Sequence, residues 1–88
     1  MWSSVSDETV ADLLRNFARC LKRSRQDMDL SQGAIARMAG VSRKMVCDIE
    51  AGHGDPRLST LVKLAKPVNR SAPKMLVWTP PVDEGVGG

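Results

Sequence analysis

Apolar residues recur early in the chain at three- and four-residue intervals, at Val10, Leu13, Leu14, Phe17 and Leu21. That spacing places them on one face of a helix. Ser6, followed by Asp7 and Glu8, supplies a hydroxyl cap and then acids for the positive end of the dipole. A helix is therefore expected from Ser6 to about Gln26, with Cys20 beside the stripe as a half-buried packing residue. A shorter pattern follows, in which Ser31 caps, Ile35, Ala36 and Ala39 face inward, and Gly40 ends the helix. Glycine reaches the left-handed backbone that such a sharp turn requires. Ser42 caps a third helix, whose Val46 and Ile49 point inward and which ends at Gly52. His53-Gly54-Asp55-Pro56 reads as a loop. Ser59 or Thr60 caps a fourth helix carrying Leu61, Val62, Leu64 and Ala65, and Pro67 bars its continuation much past Lys66.

Beyond that point no fifth helix is expected. Met75-Leu76-Val77-Trp78 reads as a short extended segment closed by Pro80-Pro81. The expected fold is all-α, a small four-helix domain with a short C-terminal β-strand. Residues 1–5 form an N-terminal extension, 6–67 the helical domain, 68–79 the strand segment and 80–88 a flexible tail lacking hydrophobic pattern.

At 88 residues the chain is one domain near the lower limit for folding without staples. With one Phe, two Trp and no Tyr, its core must be aliphatic, and dimerisation would add burial. Cys20 and Cys47 fall on different helices with no CxxC spacing, so two free thiols in a reducing compartment are expected. Those two cysteines and the lone His53 are too few to build a zinc site. No cofactor is implied. No basic run followed by an apolar stretch opens the chain, and no apolar run approaches the roughly 18 residues that span a bilayer. A cytoplasmic, nucleoid-associated protein without a membrane partner is the resulting expectation.

The net charge is +3, unevenly spread. Arg15, Arg19, Lys22, Arg23 and Arg25 occur with no acid between them, and Arg37, Arg43 and Lys44 follow. Clusters of this kind suit a phosphate backbone, although a charged helix face is usually just solvated. Nothing points to catalysis: His53 has no nucleophile partner, and neither a Gly-rich phosphate loop nor a paired-carboxylate site is present.

Residues Gln32 to Ala51 carry the most specific pattern. Two short helices joined at Gly40 make a helix-turn-helix. Ala36 is small where the second helix crosses it, Gly40 relaxes the turn, and Ile35, Val41, Val46 and Ile49 lock the pair together. Leu30-Ser31-Gln32, Ile35-Ala36, Gly40-Val41-Ser42, Val46, Ile49-Glu50, Gly52, Pro56, Thr60-Leu61 and Lys63-Leu64-Ala65 together resemble the Cro and lambda-repressor type (XRE-like) helix-turn-helix family. The resemblance covers roughly Leu21 to Lys66. Gly33 and Ala34 depart from it, standing where acids are common.

The resemblance implies that the second motif helix reads base edges in the major groove. Its outward positions here are Arg43, Lys44, Cys47 and Asp48: the two cations for guanine, Asp48 for cytosine N4, Cys47 for a thymine methyl. The competing role for Arg43 and Lys44 is phosphate contact alone. Gln32, Ser42, Met45, His53 and Arg57 take the backbone-contacting positions, with His53 equally readable as a plain loop residue. Arg25 and Glu50 match a partly buried ion pair that orients the reading helix. The implied partner is double-stranded DNA carrying a palindromic operator, bound by a homodimer acting as a repressor. Met75, Leu76, Val77 and Trp78 resemble the dimerisation strand of HipB-like antitoxins, which would add a toxin protein as partner; the alternative is a tail docked on its own core. A protein-binding module using the same helices without DNA is a further alternative, against which Arg43 and Lys44 argue.

Overall fold

The computed structural model describes residues 9–81, which form five helices in the order α1 (Val10–Asp27), α2 (Gln32–Ala39), α3 (Arg43–Glu50), α4 (Leu58–Ala65) and α5 (Ala72–Leu76). Helix α1 starts later than the Ser6 expectation, and Ser6 itself lies outside the described residues. Its cap is Thr9, whose hydroxyl accepts from the Asp12 N–H while the Asp12 carboxylate accepts from the Thr9 N–H. This reciprocal arrangement satisfies two donors that a helix start leaves free. The bond from the Thr9 backbone N–H, followed by one from the Arg15 guanidinium, holds the Asp12 carboxyl below its ordinary pKa.

Ser31 and Ser42 cap α2 and α3 as their sequence positions suggest, each hydroxyl accepting a backbone N–H at 3.0 Å. Gly40 stands between them at φ 73°, in the left-handed region. Helix α4 differs from expectation: it starts at Leu58, two residues before Thr60, with Arg57 at the cap position and no side-chain cap bond. Ser59 and Thr60 therefore lie inside the first turn rather than capping it.

One core serves all five helices. Phe17, Cys20 and Leu21 from α1 meet Ile35 and Ala36 from α2, Val46 and Ile49 from α3, Leu61, Leu64 and Ala65 from α4, then Val68, Ala72 and Met75. Cys20 is fully buried rather than half-buried, and burial pushes its thiol pKa up. Val10 stays largely exposed, since the packing along α1 begins at Leu14.

The C-terminal expectation is corrected. Met75 and Leu76 belong to helix α5, and no strand forms among the described residues. Ser71-Ala72-Pro73 supplies the reason, because proline in the first helical turn loses no hydrogen bond and brings a helical φ. Met75 then drops into the core at 1% exposure, Leu76 and Trp78 pack against its edge, and Asn16 donates to the Leu76 carbonyl at 2.9 Å. Arg70 donates to the buried Ser24 hydroxyl at 2.8 Å, tying the preceding turn to α1 as well. The segment is docked on its own domain, and Val77 alone of the four points outward. The helical core therefore extends past 67, the boundary expected from sequence. Residues 1–5 and most of the 80–88 tail lie outside the described residues.

Because Met75 fills core volume, Met75→Ala is expected to cost about 2–5 kcal/mol in urea unfolding, whereas Val77→Ala should stay within about 0.5 kcal/mol. The Met75→Ala loss should not depend on protein concentration; a strand paired across a dimer would make it do so.

Candidate nucleic-acid interface

Helices α2 and α3, joined through Gly40, form the helix-turn-helix, and the Val41 N–H closes the turn on the Ala36 carbonyl at 2.9 Å. Helix α3 buries Val46 and Ile49 and leaves Arg43, Lys44 and Met45 exposed. Its first turn therefore presents two cations and a methionine. Lys44 reaches down its own helix to Asp48 at 2.9 Å, and this pair is solvent-exposed. The Asp48 hydrogen bond, then its charge, raises the Lys44 pKa. Arg43 has no acid within 4.0 Å among the described residues.

Arg37, on α2, enters the sequence reading only as part of the basic cluster and not as a DNA contact, yet it converges with Arg43 over Gly33. A methyl group at Gly33 would stand 3.8 Å from the Arg37 guanidinium and 3.8 Å from the Arg43 stem. Glycine and alanine at 33 and 34 thus keep the mouth of α2 free of acid between two arginines. The spacing Gly33-to-Arg37, one helical turn, is the signal that a reading of the chain alone had available.

Behind this face lies the Arg25–Glu50 pair, with side chains only 11% and 4% exposed. Arg25 binds both carboxylate oxygens, Nε to Oε2 at 2.8 Å and Nη2 to Oε1 at 2.9 Å, and its Nη1 donates to the Leu30 carbonyl at 2.8 Å. One guanidinium thus joins α1, the α1–α2 connection and the end of α3, in the bidentate geometry that suits arginine. Hydrogen bonding to Glu50 raises the Arg25 pKa further.

Gln32 and Cys47 join this network rather than standing free. The Gln32 amide nitrogen donates to Glu50 Oε1 at 3.1 Å, and its oxygen accepts from Cys47 Sγ at 2.9 Å. Ser42 accepts from the Met45 N–H, which leaves its hydroxyl proton available. Met45, Asp48, His53 and Arg57 line one shallow depression between α3 and the loop after it, with His53 and Arg57 exposed. The His53 backbone N–H donates to the Asp48 carbonyl at 2.8 Å, so the loop closes directly on α3.

The helix-turn-helix family HTH_3 matches residues 21–74. The chain belongs to this family. Control protein C.SmaI of Serratia marcescens is 32% identical over 71 residues, covering 81% of this chain and 84% of that protein. An uncharacterized HTH-type transcriptional regulator of Haemophilus influenzae is 38% identical over 48 residues; they are 54% of this chain and 49% of that protein, about half its length. The restriction-modification controller protein C.AhdI of Aeromonas hydrophila superposes with a TM-score of 0.65 at 27% identity, covering 70% of this chain and 94% of that one. The fold also occurs within a larger enzyme: hydroxypropylphosphonic acid epoxidase of S. wedmorenis matches with a TM-score of 0.61 at 28% identity, over 81% of this chain but 38% of the epoxidase. Among the described residues no helix is long and apolar enough to cross a membrane.

Removing one partner of the Arg25–Glu50 pair strands a buried charge, so Glu50→Ala is expected to cost about 3–5 kcal/mol in denaturant unfolding. Asp48→Ala, which breaks the exposed Lys44 pair, should change stability by less than about 1 kcal/mol. Similar losses for both would contradict the separation of buried tie from surface pair.

Proposed function

We propose that this protein is a sequence-specific DNA-binding transcriptional regulator, acting as a homodimeric repressor on a palindromic operator. The observation that carries this reading is the exposed, acid-free mouth of the helix-turn-helix. Among the described residues Arg43 stands unpaired at the start of α3, and it converges with Arg37 over Gly33. Membership of the helix-turn-helix family supports the same conclusion. In this reading α3 enters the major groove, where a guanidinium can donate to guanine O6 and N7 together. Lys44 and Asp48 act there as a linked donor and acceptor. Ser42, Gln32, Met45, His53 and Arg57 border the phosphates, and the dipole of α2 favours the same anions. One such module reads few base pairs, and two copies about 34 Å apart on one DNA face supply the rest. No catalytic role is assigned, and a cytoplasmic site of action follows from the DNA partner.

Of the biological settings, control of a restriction-modification locus has the most support. Two relatives bear that name or the name of control protein, and one of them matches this chain over most of both lengths. The antitoxin setting leaned on a dimerisation strand at Met75–Trp78, and Met75 and Leu76 are helical. A protein-binding role without DNA gains nothing from a surface whose leading residues are Arg37, Arg43 and Lys44.

Selection from random duplexes at two salt concentrations tests the proposal. An enriched palindrome is expected, and binding that is unselective and vanishes as salt rises would reduce it to phosphate attraction. On the selected site Arg43→Ala should lose about 1–3 kcal/mol and relax preference at one base position. Equal losses on selected and random DNA would remove Arg43 from base reading.

A further inference from the structure

Gln32 occupies the first position of α2, and its amide is held at both ends. The direction of this chain of bonds is forced by chemistry. The Glu50 carboxylate only accepts, so the amide nitrogen must face it. The amide oxygen then faces Cys47, where only a protonated thiol can donate. Arg25 fixes the far end by occupying both Glu50 oxygens. Donation thus converges on Glu50 at the end of α3, from Arg25 on α1 on one side and from Cys47 through Gln32 at the start of α2 on the other.

An amide nitrogen carries two protons. The Glu50 bond uses one, and no acceptor among the described residues takes the other. That second N–H is what Gln32 has to offer a phosphate. A freely turning amide would spend part of its time presenting its oxygen, which a phosphate repels. The bond from Cys47 opposes that rotation. The half-buried Cys47 thiol is already engaged within the domain, which argues against its standing free to meet a base.

We propose that Cys47 is a positioning residue of the DNA-binding surface: its thiol proton locks the Gln32 amide, and its contribution to DNA affinity passes through Gln32 rather than through contact with a base. This rests on the DNA-binding reading above. Gln32 is neutral, so its phosphate contact releases no counterion and contributes affinity without steepening the salt dependence.

The test combines a readout without DNA and one with it. In nuclear magnetic resonance spectra of the free protein, Cys47→Ala should shift the Gln32 side-chain amide signals and speed their exchange with water. Cys47→Ser keeps an O–H donor and should restore both. On duplex DNA, Cys47→Ala should weaken binding about twofold to tenfold, the scale of one hydrogen bond, equally on selected and random sequences and with an unchanged salt slope. Gln32→Ala should do the same, and the double variant should lose no more than either single one. Additive losses, a loss confined to sites with thymine at one position, or Gln32 signals indifferent to Cys47→Ala would overturn the positioning role while leaving DNA binding intact. Failure of the unaltered protein to bind any duplex would overturn the DNA-binding reading itself, and the positioning role with it.

Discussion

A carboxylate buried at the end of a short helix is costly unless a cation meets it with good geometry. Glu50 sits in that position, and Arg25 answers it with two bonds from a helix distant in sequence. The same guanidinium takes the Leu30 carbonyl, so the chain between α1 and α2 cannot drift from the end of α3. Gln32 reaches Glu50 from the third side. The helix-turn-helix is therefore clamped by polar bonds behind its exposed face, as well as by Ile35, Ala36, Val46 and Ile49 within. This matters for the proposed DNA-binding role, because base readout from α3 would require its side chains to hold their positions relative to phosphates met by α2.

The apolar side of the molecule is economical. The chain has one phenylalanine, Phe17, and it is fully buried in a core otherwise made of small and aliphatic residues and Cys20 and Met75, drawn from every helix. Helix α5 is short, and five residues have no independent helical stability. It exists because Met75 and Ala72 have somewhere to go, and because Asn16 and Arg70 bind the segment to α1. The consequence for assembly is direct. A strand at Met75–Trp78 would have supplied a ready dimer edge, whereas a docked helix leaves dimer formation to other surfaces.

Charge is divided between interior and exterior. The Arg25–Glu50 pair is shielded and serves architecture, while the Lys44–Asp48 pair lies in water and can exchange partners at little cost. Among the described residues, Arg43 and Arg37 are cations near the start of α3 that form no ion pair within the fold. The acid-free stretch at Gly33-Ala34 keeps them from being neutralised locally. An anion approaching this face meets both, together with the start of α2.

How much of this was legible in the chain depended on the range of the interaction involved. The caps at Ser31 and Ser42, the turn at Gly40 and the inward faces of α2 and α3 follow from contacts within a few residues, so periodicity and capping chemistry determined them. The Arg25–Glu50 pair was reachable only because the motif resembles a family in which that pair occurs. What the tertiary structure decided lies at longer range. Met75 to Trp78 is apolar enough for a strand, and only the room that the core offers Met75 and the Ser71-Ala72-Pro73 start made Met75 and Leu76 helical. Gln32 and Cys47 looked like two independent DNA contacts, and only the crossing of α2 over α3 brought them within one hydrogen bond. Short-range geometry is written in neighbouring residues; which polar groups share a partner is set by how the helices cross, because a hydrogen bond needs its atoms within about 3 Å whatever their separation in sequence.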